Sequence, residues 1–303
     1  SVEKIVHAGQ QDLGPVVRHL GQAPVNVFDT QIAAAFVGLP YPVGLMRLVE
    51  ELMGVSLGKG PKFSRWDRRP LTDVQRRYAA NDVRYLPAVR EALRTKLRDA
   101  GHERWAREEC DALGDVQLYR ADPMSVYKRV KGADGLKPRN LAVLRELAAW
   151  RDRAAMQHDT PPRTLVTDGV LLAMAREPIG AVEDLDKVRG LPRPVETAYG
   201  KTLLEATQRA LELDASQWPA DLSTFETEGQ KRRTDALWAA AQEACRSRGV
   251  DPAVFASRKD ITRFCRHRRR EKSAADHWLL HGWRGEIFQQ VLAAEEASRG
   301  KGR

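Results

Sequence analysis

Two short apolar runs near the amino end constrain the fold of this chain more than any other feature. Lys4-Ile5-Val6-His7-Ala8 stops at Gly9, and Val25-Asn26-Val27-Phe28 stops at Asp29. Both are short and rich in β-branched residues, as buried parallel strands are. They lie too far apart for a tight hairpin, and the stretch Asp12–Leu20 between them is long enough for a crossover helix. A parallel pair needs such a crossover, so the segment reads as strand–helix–strand in an α/β layer.

Beyond Thr30 the apolar spacing turns helical. Gln31–Val37 and Gly44–Met53 read as helices, and Gly54–Pro70 as a loop rich in Gly, Pro and basic residues. Thr72 with Gln75 three residues on forms a capping-box pattern that opens a helix carrying Tyr78 and Asp82. Pro87 suits the first turn of the next helix. Residues 111–137 read as a connector with a short helix near Ser125–Val130. From there on every periodic segment is helical: Asn140–Met156 with its stripe of Leu141, Leu144, Leu147, Ala148 and Trp150, then Thr167–Arg176, Ala181–Lys187 and Ala198–Leu213. A second helical block follows from Leu222 to Ala297, of similar length to the first, which suggests a duplicated small module.

The chain has 303 residues, room for two or three domains. Its net charge of +9 and pI near 9.6 favour a polyanionic partner, nucleic acid first, although an ordinary basic protein carries similar charge. Cys110, Cys245 and Cys265 are widely spaced, which suggests neither a disulfide framework nor a zinc site and fits a reducing cytoplasmic setting. No apolar run approaches the roughly 18 residues of a membrane span, and no signal-peptide pattern is present. The sequence opens Ser1-Val2-Glu3-Lys4, without Met and almost directly into a strand, which reads as a truncated or processed chain.

Three acidic residues and a phenol are candidates for chemistry. Tyr78 and Asp82 are four apart and share one helix face, so a carboxylate that binds a divalent metal would have a phenol beside it to orient water. The same pair is equally a half-buried Tyr and a surface Asp. Asp12 follows the first strand at its carboxyl end, where open α/β sheets place ligands, or it caps the following helix. Asp29 ends the second strand with the same two options.

These residues resemble the ribonuclease D family. His7-Ala8-Gly9-Gln10-Gln11-Asp12-Leu13 is similar to its second exonuclease motif, and Phe28-Asp29-Thr30-Gln31-Ile32-Ala33-Ala34 to the strand and helix that follow. Arg69-Pro70-Leu71-Thr72-Asp73-Val74-Gln75 leads into Tyr78-Ala79-Ala80-Asn81-Asp82, similar to the third motif in its YxxxD form. Three motifs in order are far more specific than any one. The resemblance implies a ribonuclease H-like exonuclease domain of the DEDD tyrosine subclass, in which four carboxylates hold two Mg²⁺ or Mn²⁺ ions that clamp a transferring phosphate. Asp12 and Asp82 match two of the metal ligands. Tyr78 matches the residue that positions the attacking water, and because a phenol keeps its proton at neutral pH it is implied to orient rather than act as a strong base. The DxE motif that supplies the other two ligands does not precede Asp12, where Glu3 is the only acid. With two ligands of four, this chain is expected to show little nuclease activity while a protein with all four is active, and the first strand is expected to be left with an open edge.

Two further regions bear on partners. Lys59, Lys62, Arg65, Arg68 and Arg69 surround Phe63 and Trp66, a composition that suits phosphate contact and base stacking, or a solvated loop with Trp66 packed inward. Arg258-Lys259 and the run from Arg263 to Lys272, with Arg268, Arg269 and Arg270, form either an RNA-phosphate patch or a solvated face. Leu136–Leu213, through Leu141–Trp150, Arg151-Asp152-Arg153 and Tyr199–Leu204, resembles the HRDC domain. Residues 219–297, closing with His281–Glu286, resemble a second, divergent copy. Such modules assist nucleic-acid binding.

The expected architecture is therefore α/β plus all-α, a partial ribonuclease H-like exonuclease domain followed by two small helical HRDC-like bundles. The expected bounds are 1–110, a connector at 111–137, 138–215 and 219–297. The expected function is a 3′→5′ exoribonuclease that trims RNA 3′ ends by two-metal hydrolysis, with tRNA precursors as the substrate implied by the family. The alternatives are a catalytically inactive nucleic-acid-binding fragment acting through the helical modules, and a 3′→5′ DNA exonuclease.

Overall fold

The computed structural model describes residues 2–58, 65–119, 122–222, 226–270 and 277–300, the side chains of 267–270 and 298–300 excepted. Along the chain run β1 (Lys4–Val6), α1 (Gln10–Leu20), β2 (Val27–Asp29), α2 (Thr30–Ala35), α3 (Leu45–Met53), α4 (Asp73–Arg84), α5 (Leu86–Ala100) and α6 (Glu103–Asp111). They are followed by α7 (Pro138–Gln157), α8 (Pro162–Leu165), α9 (Asp168–Arg176), α10 (Arg193–Leu211), α11 (Glu228–Arg246), α12 (Pro252–Phe255), α13 (Arg258–Arg270) and α14 (Gly282–Gly300).

The strand–helix–strand reading holds. The strands β1 and β2 pair in parallel, with Lys4 opposite Val27, Ile5 opposite Phe28 and Val6 opposite Asp29. Helix α1 is the crossover, and it buries Leu13 and Val17. The capping box is also present at α4: the Thr72 hydroxyl accepts from the Gln75 amide, and the Gln75 side chain accepts from the Thr72 amide at 2.9 Å. Pro87 lies in the first turn of α5.

The chain divides into two compact units, Ser1–Tyr119 with Glu226–Arg303, and Arg120–Phe225. This corrects the expectation of a self-contained block at 219–297. Its buried residues Leu237, Phe255, Phe264, Trp283 and Phe288 belong to one hydrophobic core with Val17, Phe36, Leu48 and Leu93. A two-stranded sheet offers too little apolar surface to bury its own helices, and the carboxy-terminal helices complete that core. The Phe36 ring meets the Trp283 ring edge-on at 4.8 Å. Arg284 is held by both oxygens of Glu109, at 2.5 and 2.8 Å, and donates to the carbonyls of Val254 and Phe255. The expected connector at 111–137 is likewise divided: Leu113 and Tyr119 lie in the first core, and Tyr127, Val130, Ala133 and Leu136 in the second.

The unit Arg120–Phe225 is a helical bundle on α7, α9 and α10, with Leu141, Leu144, Leu147, Leu171 and Leu203 fully buried. Arg151, exposed over only 7% of its surface, donates to the Val166 carbonyl at 3.0 Å and to Asp168 at 2.8 Å. Burial pushes the Asp168 carboxyl up, but Arg151, the Lys131 amide and Arg163 outweigh it and hold the group below the usual carboxylate range.

Candidate active site

The site is built at the carboxyl end of β1. The chain must turn sharply there to enter α1, and Asp29 holds the turn. One Asp29 oxygen accepts from the Ala8 amide at 3.1 Å and the other from the Gly9 amide at 2.7 Å. The same carboxylate caps α2 through the Gln31 and Ile32 amides, at 2.8 and 3.4 Å. Ala8 takes a left-handed φ of 54°. A Cβ on Gly9 would sit 2.5 Å from a Val6 methyl, so only glycine fits the close approach. Of the two options open for Asp29, capping is the one the structure shows.

His7 braces the same turn. Its Nδ1 lies 2.9 Å from the Thr30 hydroxyl, which donates to the Val6 carbonyl at 3.0 Å. Burial pushes the His7 imidazole down, against the pull of the Asp29 charge, so the ring is neutral at neutral pH. Behind the turn the Cys110 thiol accepts from the Asp29 amide at 3.4 Å, and burial pushes it up to about 12, which makes it inert as a nucleophile.

Asp12 therefore sits in the first turn of α1 with its side chain exposed. The helix is preceded by Gly9 and has no side-chain cap, so capping is not the role of Asp12. On α4, Tyr78 is half-buried and Asp82 exposed. The Asp82 carboxyl is held above the usual carboxylate range, by partial desolvation first and by the charge of Asp12 second. The structure thus brings together two carboxylates that are 70 positions apart in sequence. Among the described residues neither has a salt-bridge partner, and no three His, Cys, Asp or Glu side chains gather as a metal-binding group. Two carboxylates that feel one another's charge could help hold a divalent cation, with water and phosphate oxygens filling the rest of its shell.

Tyr78 and Asp82 line a cleft of about 730 Å³ between α3 and α4. Arg47 and Arg77 add positive charge to its walls, while Leu45, Leu57 and Val74 add apolar surface. Sequence reasoning missed Arg77 and Asn81, although Asn81 is three residues from Tyr78 and four from Arg77, the helical spacings that share a face. Arg47 carried no such signal, because α3 reaches the cleft only through tertiary packing.

The expected RNA contacts fare unevenly. Arg65 is exposed and paired with the equally exposed Asp67 at 2.7 Å. Lys59 and Lys62 lie outside the described residues, as do the side chains of Arg268, Arg269 and Arg270 at the end of α13. Part of that basic run is neutralised within the fold: Arg258 pairs with Glu226 at 3.0 Å and Asp235 at 2.7 Å, and Arg263 with Asp260. No described helix is long and apolar enough to cross a membrane.

Residues 1–98 match a family described as 3′–5′ exonuclease, and residues 140–207 match the HRDC domain. Ribonuclease D of Granulibacter bethesdensis is 33% identical over 97% of this chain and 74% of its own length. Ribonuclease D of Pseudomonas paraeruginosa is 32% identical over 96% and 77%. The crystal structure of Escherichia coli RNase D, an exoribonuclease involved in structured RNA processing, superposes with a TM-score of 0.81 at 30% identity, over 96% of this chain and 79% of that one. The motifs at Asp12 and Tyr78–Asp82, the α/β layer that holds them and these relatives agree: the chain belongs to the ribonuclease D family of 3′–5′ exoribonucleases.

Proposed function

We propose that Asp12, Tyr78 and Asp82 form the hydrolytic site, acting on the 3′ end of RNA with a divalent cation. The observation that carries this reading is the approach of Asp12 to Asp82 without a cationic partner among the described residues, beside a phenol in an open cleft. Asp12 and Asp82 would hold the cation, Mg²⁺ or Mn²⁺. Such an ion, when bound, supplies electrostatic stabilisation for the phosphoryl group and for water. Tyr78 orients the water by hydrogen bonding, and Arg47 and Arg77 draw the RNA backbone into the cleft. The HRDC-like unit Arg120–Phe225 adds a second RNA contact. Precursor tRNAs are the proposed substrate class.

The test is release of 3′ nucleotides from a 3′-tailed RNA, with and without Mg²⁺. In a protein that carries all four carboxylates, Mg²⁺-dependent release that Asp82→Asn abolishes is expected, and little release from the chain with two. Binding of the RNA without release would favour the alternative of a non-catalytic nucleic-acid-binding protein, for which the pairing of only two carboxylates among the described residues speaks. Competition between matched RNA and DNA 3′ ends separates an exoribonuclease from a DNA exonuclease.

A further inference from the structure

Trp66 has a place at the cleft that the reading above leaves unused. Its ring centroid lies 6.0 Å from that of Tyr78, with the planes tilted by 54°. Tyr78 covers at most one side of the indole, and 42% of Trp66 remains open to solvent. A single exposed aromatic is common on a protein surface, and it is the place of Trp66 beside Tyr78 that gives the exposure weight. Its neighbour Tyr78 lines the cleft with the basic and apolar walls.

The backbone around Trp66 is pinned rather than loose. The Arg69 guanidinium donates to the Trp66 carbonyl at 2.8 Å and to the Arg68 carbonyl at 3.0 Å. The buried Gln75 amide donates to the Arg65 carbonyl at 3.3 Å while it completes the α4 capping box. Trp66 is thereby tied to the helix that carries Tyr78 and Asp82. A ring held in place and left exposed loses little freedom when a flat partner arrives, which is the arrangement that favours stacking.

We infer that Trp66 is a stacking platform for the 3′-terminal base, and that it positions the terminal nucleotide against Tyr78. This rests on the assignment of Asp12, Tyr78 and Asp82 as the hydrolytic site. Stacking needs only a π-face, so every base is accepted, with purines held better than pyrimidines and an abasic end held worst.

The test uses the full chain and three 5′-labelled single-stranded RNAs that differ only at the last residue: adenine, uracil or abasic. Fluorescence anisotropy in EDTA gives affinity without cleavage. The wild type is expected to bind the adenine-ended RNA on the order of tenfold more tightly than the abasic one, with uracil between. Trp66→Ala should collapse the three affinities onto the abasic value, and Trp66→Phe should restore part of the spread. Asp82→Asn should keep the spread while abolishing Mg²⁺-dependent release, which separates failure of the stacking platform from failure of the hydrolytic site. Trp66→Ala that weakens all three RNAs equally would show a structural role and overturn the inference, as would an unchanged spread. A spread that depends on Trp66 would leave the platform standing whether or not release is seen, so the two readings fail separately.

Discussion

Asp29 and Asp82 belong to the same unit and have the same side chain, yet their surroundings are opposite. Asp29 is 2% exposed and accepts four backbone amides, so its charge is fully matched by donors that the turn and α2 would otherwise leave orphaned. Asp82 is exposed, faces the charge of Asp12 and is destabilised by it. A satisfied carboxylate builds the scaffold, and under the proposed function the unsatisfied pair of carboxylates is where a cation and a phosphate would be received.

The largest effects should come from the scaffold. Trp283→Ala removes the ring packed on Phe36 and Phe255 and should lower stability by about 3–5 kcal/mol in urea unfolding. Asp29→Ala leaves four amides without their acceptor and should cost about 3 kcal/mol or more, with any loss of RNA hydrolysis following loss of fold. An Asp29→Ala protein with wild-type stability would remove the distinction drawn here.

Asp82→Asn and Asp12→Asn should do the reverse. In a protein that carries all four carboxylates, Mg²⁺-dependent release should fall by about a hundredfold or more, while the melting temperature holds or rises, because a like-charge pair has been relieved. Tyr78→Phe removes one hydrogen bond to water and should slow release about tenfold at unchanged RNA affinity.

The smallest effect is on pH dependence. The Asp82 carboxyl is raised in the folded protein, so its contribution to stability is present in full below the ordinary carboxylate pKa and is lost as pH rises through the folded value. Without divalent cation, the wild type should therefore lose stability relative to Asp82→Asn across that window. Adding Mg²⁺ at neutral pH should reverse the order, raising the melting temperature of the wild type and not of the variant.

Much of this was legible in the residues. The β-branched runs at Lys4 and Val25 forecast a parallel pair, because short apolar runs separated by a helix-length segment need a crossover. Thr72 and Gln75 forecast the start of α4, because a capping box satisfies its donors within four residues. Asp12, Tyr78 and Asp82 are proposed as site residues from their motifs. The role of Asp29 was left between ligand and cap, because its partners at Ala8 and Gly9 are about twenty residues away. The carboxy-terminal helices read as a separate module because amphipathic periodicity shows that a face is buried, not what buries it.

By itself, then, the sequence determined what depends on near neighbours: element type, caps, the glycine at the β1 turn and the chemistry available at each motif. Tertiary structure alone decided what depends on distant ones. It set Asp12 close enough to Asp82 to raise its pKa, delivered Arg47 to the cleft, paired Arg258 with Glu226 and closed the first core with Trp283. The physical reason is range. Hydrogen bonds of caps and turns close within a few residues, whereas burial and Coulomb interaction act between whatever side chains the fold brings together.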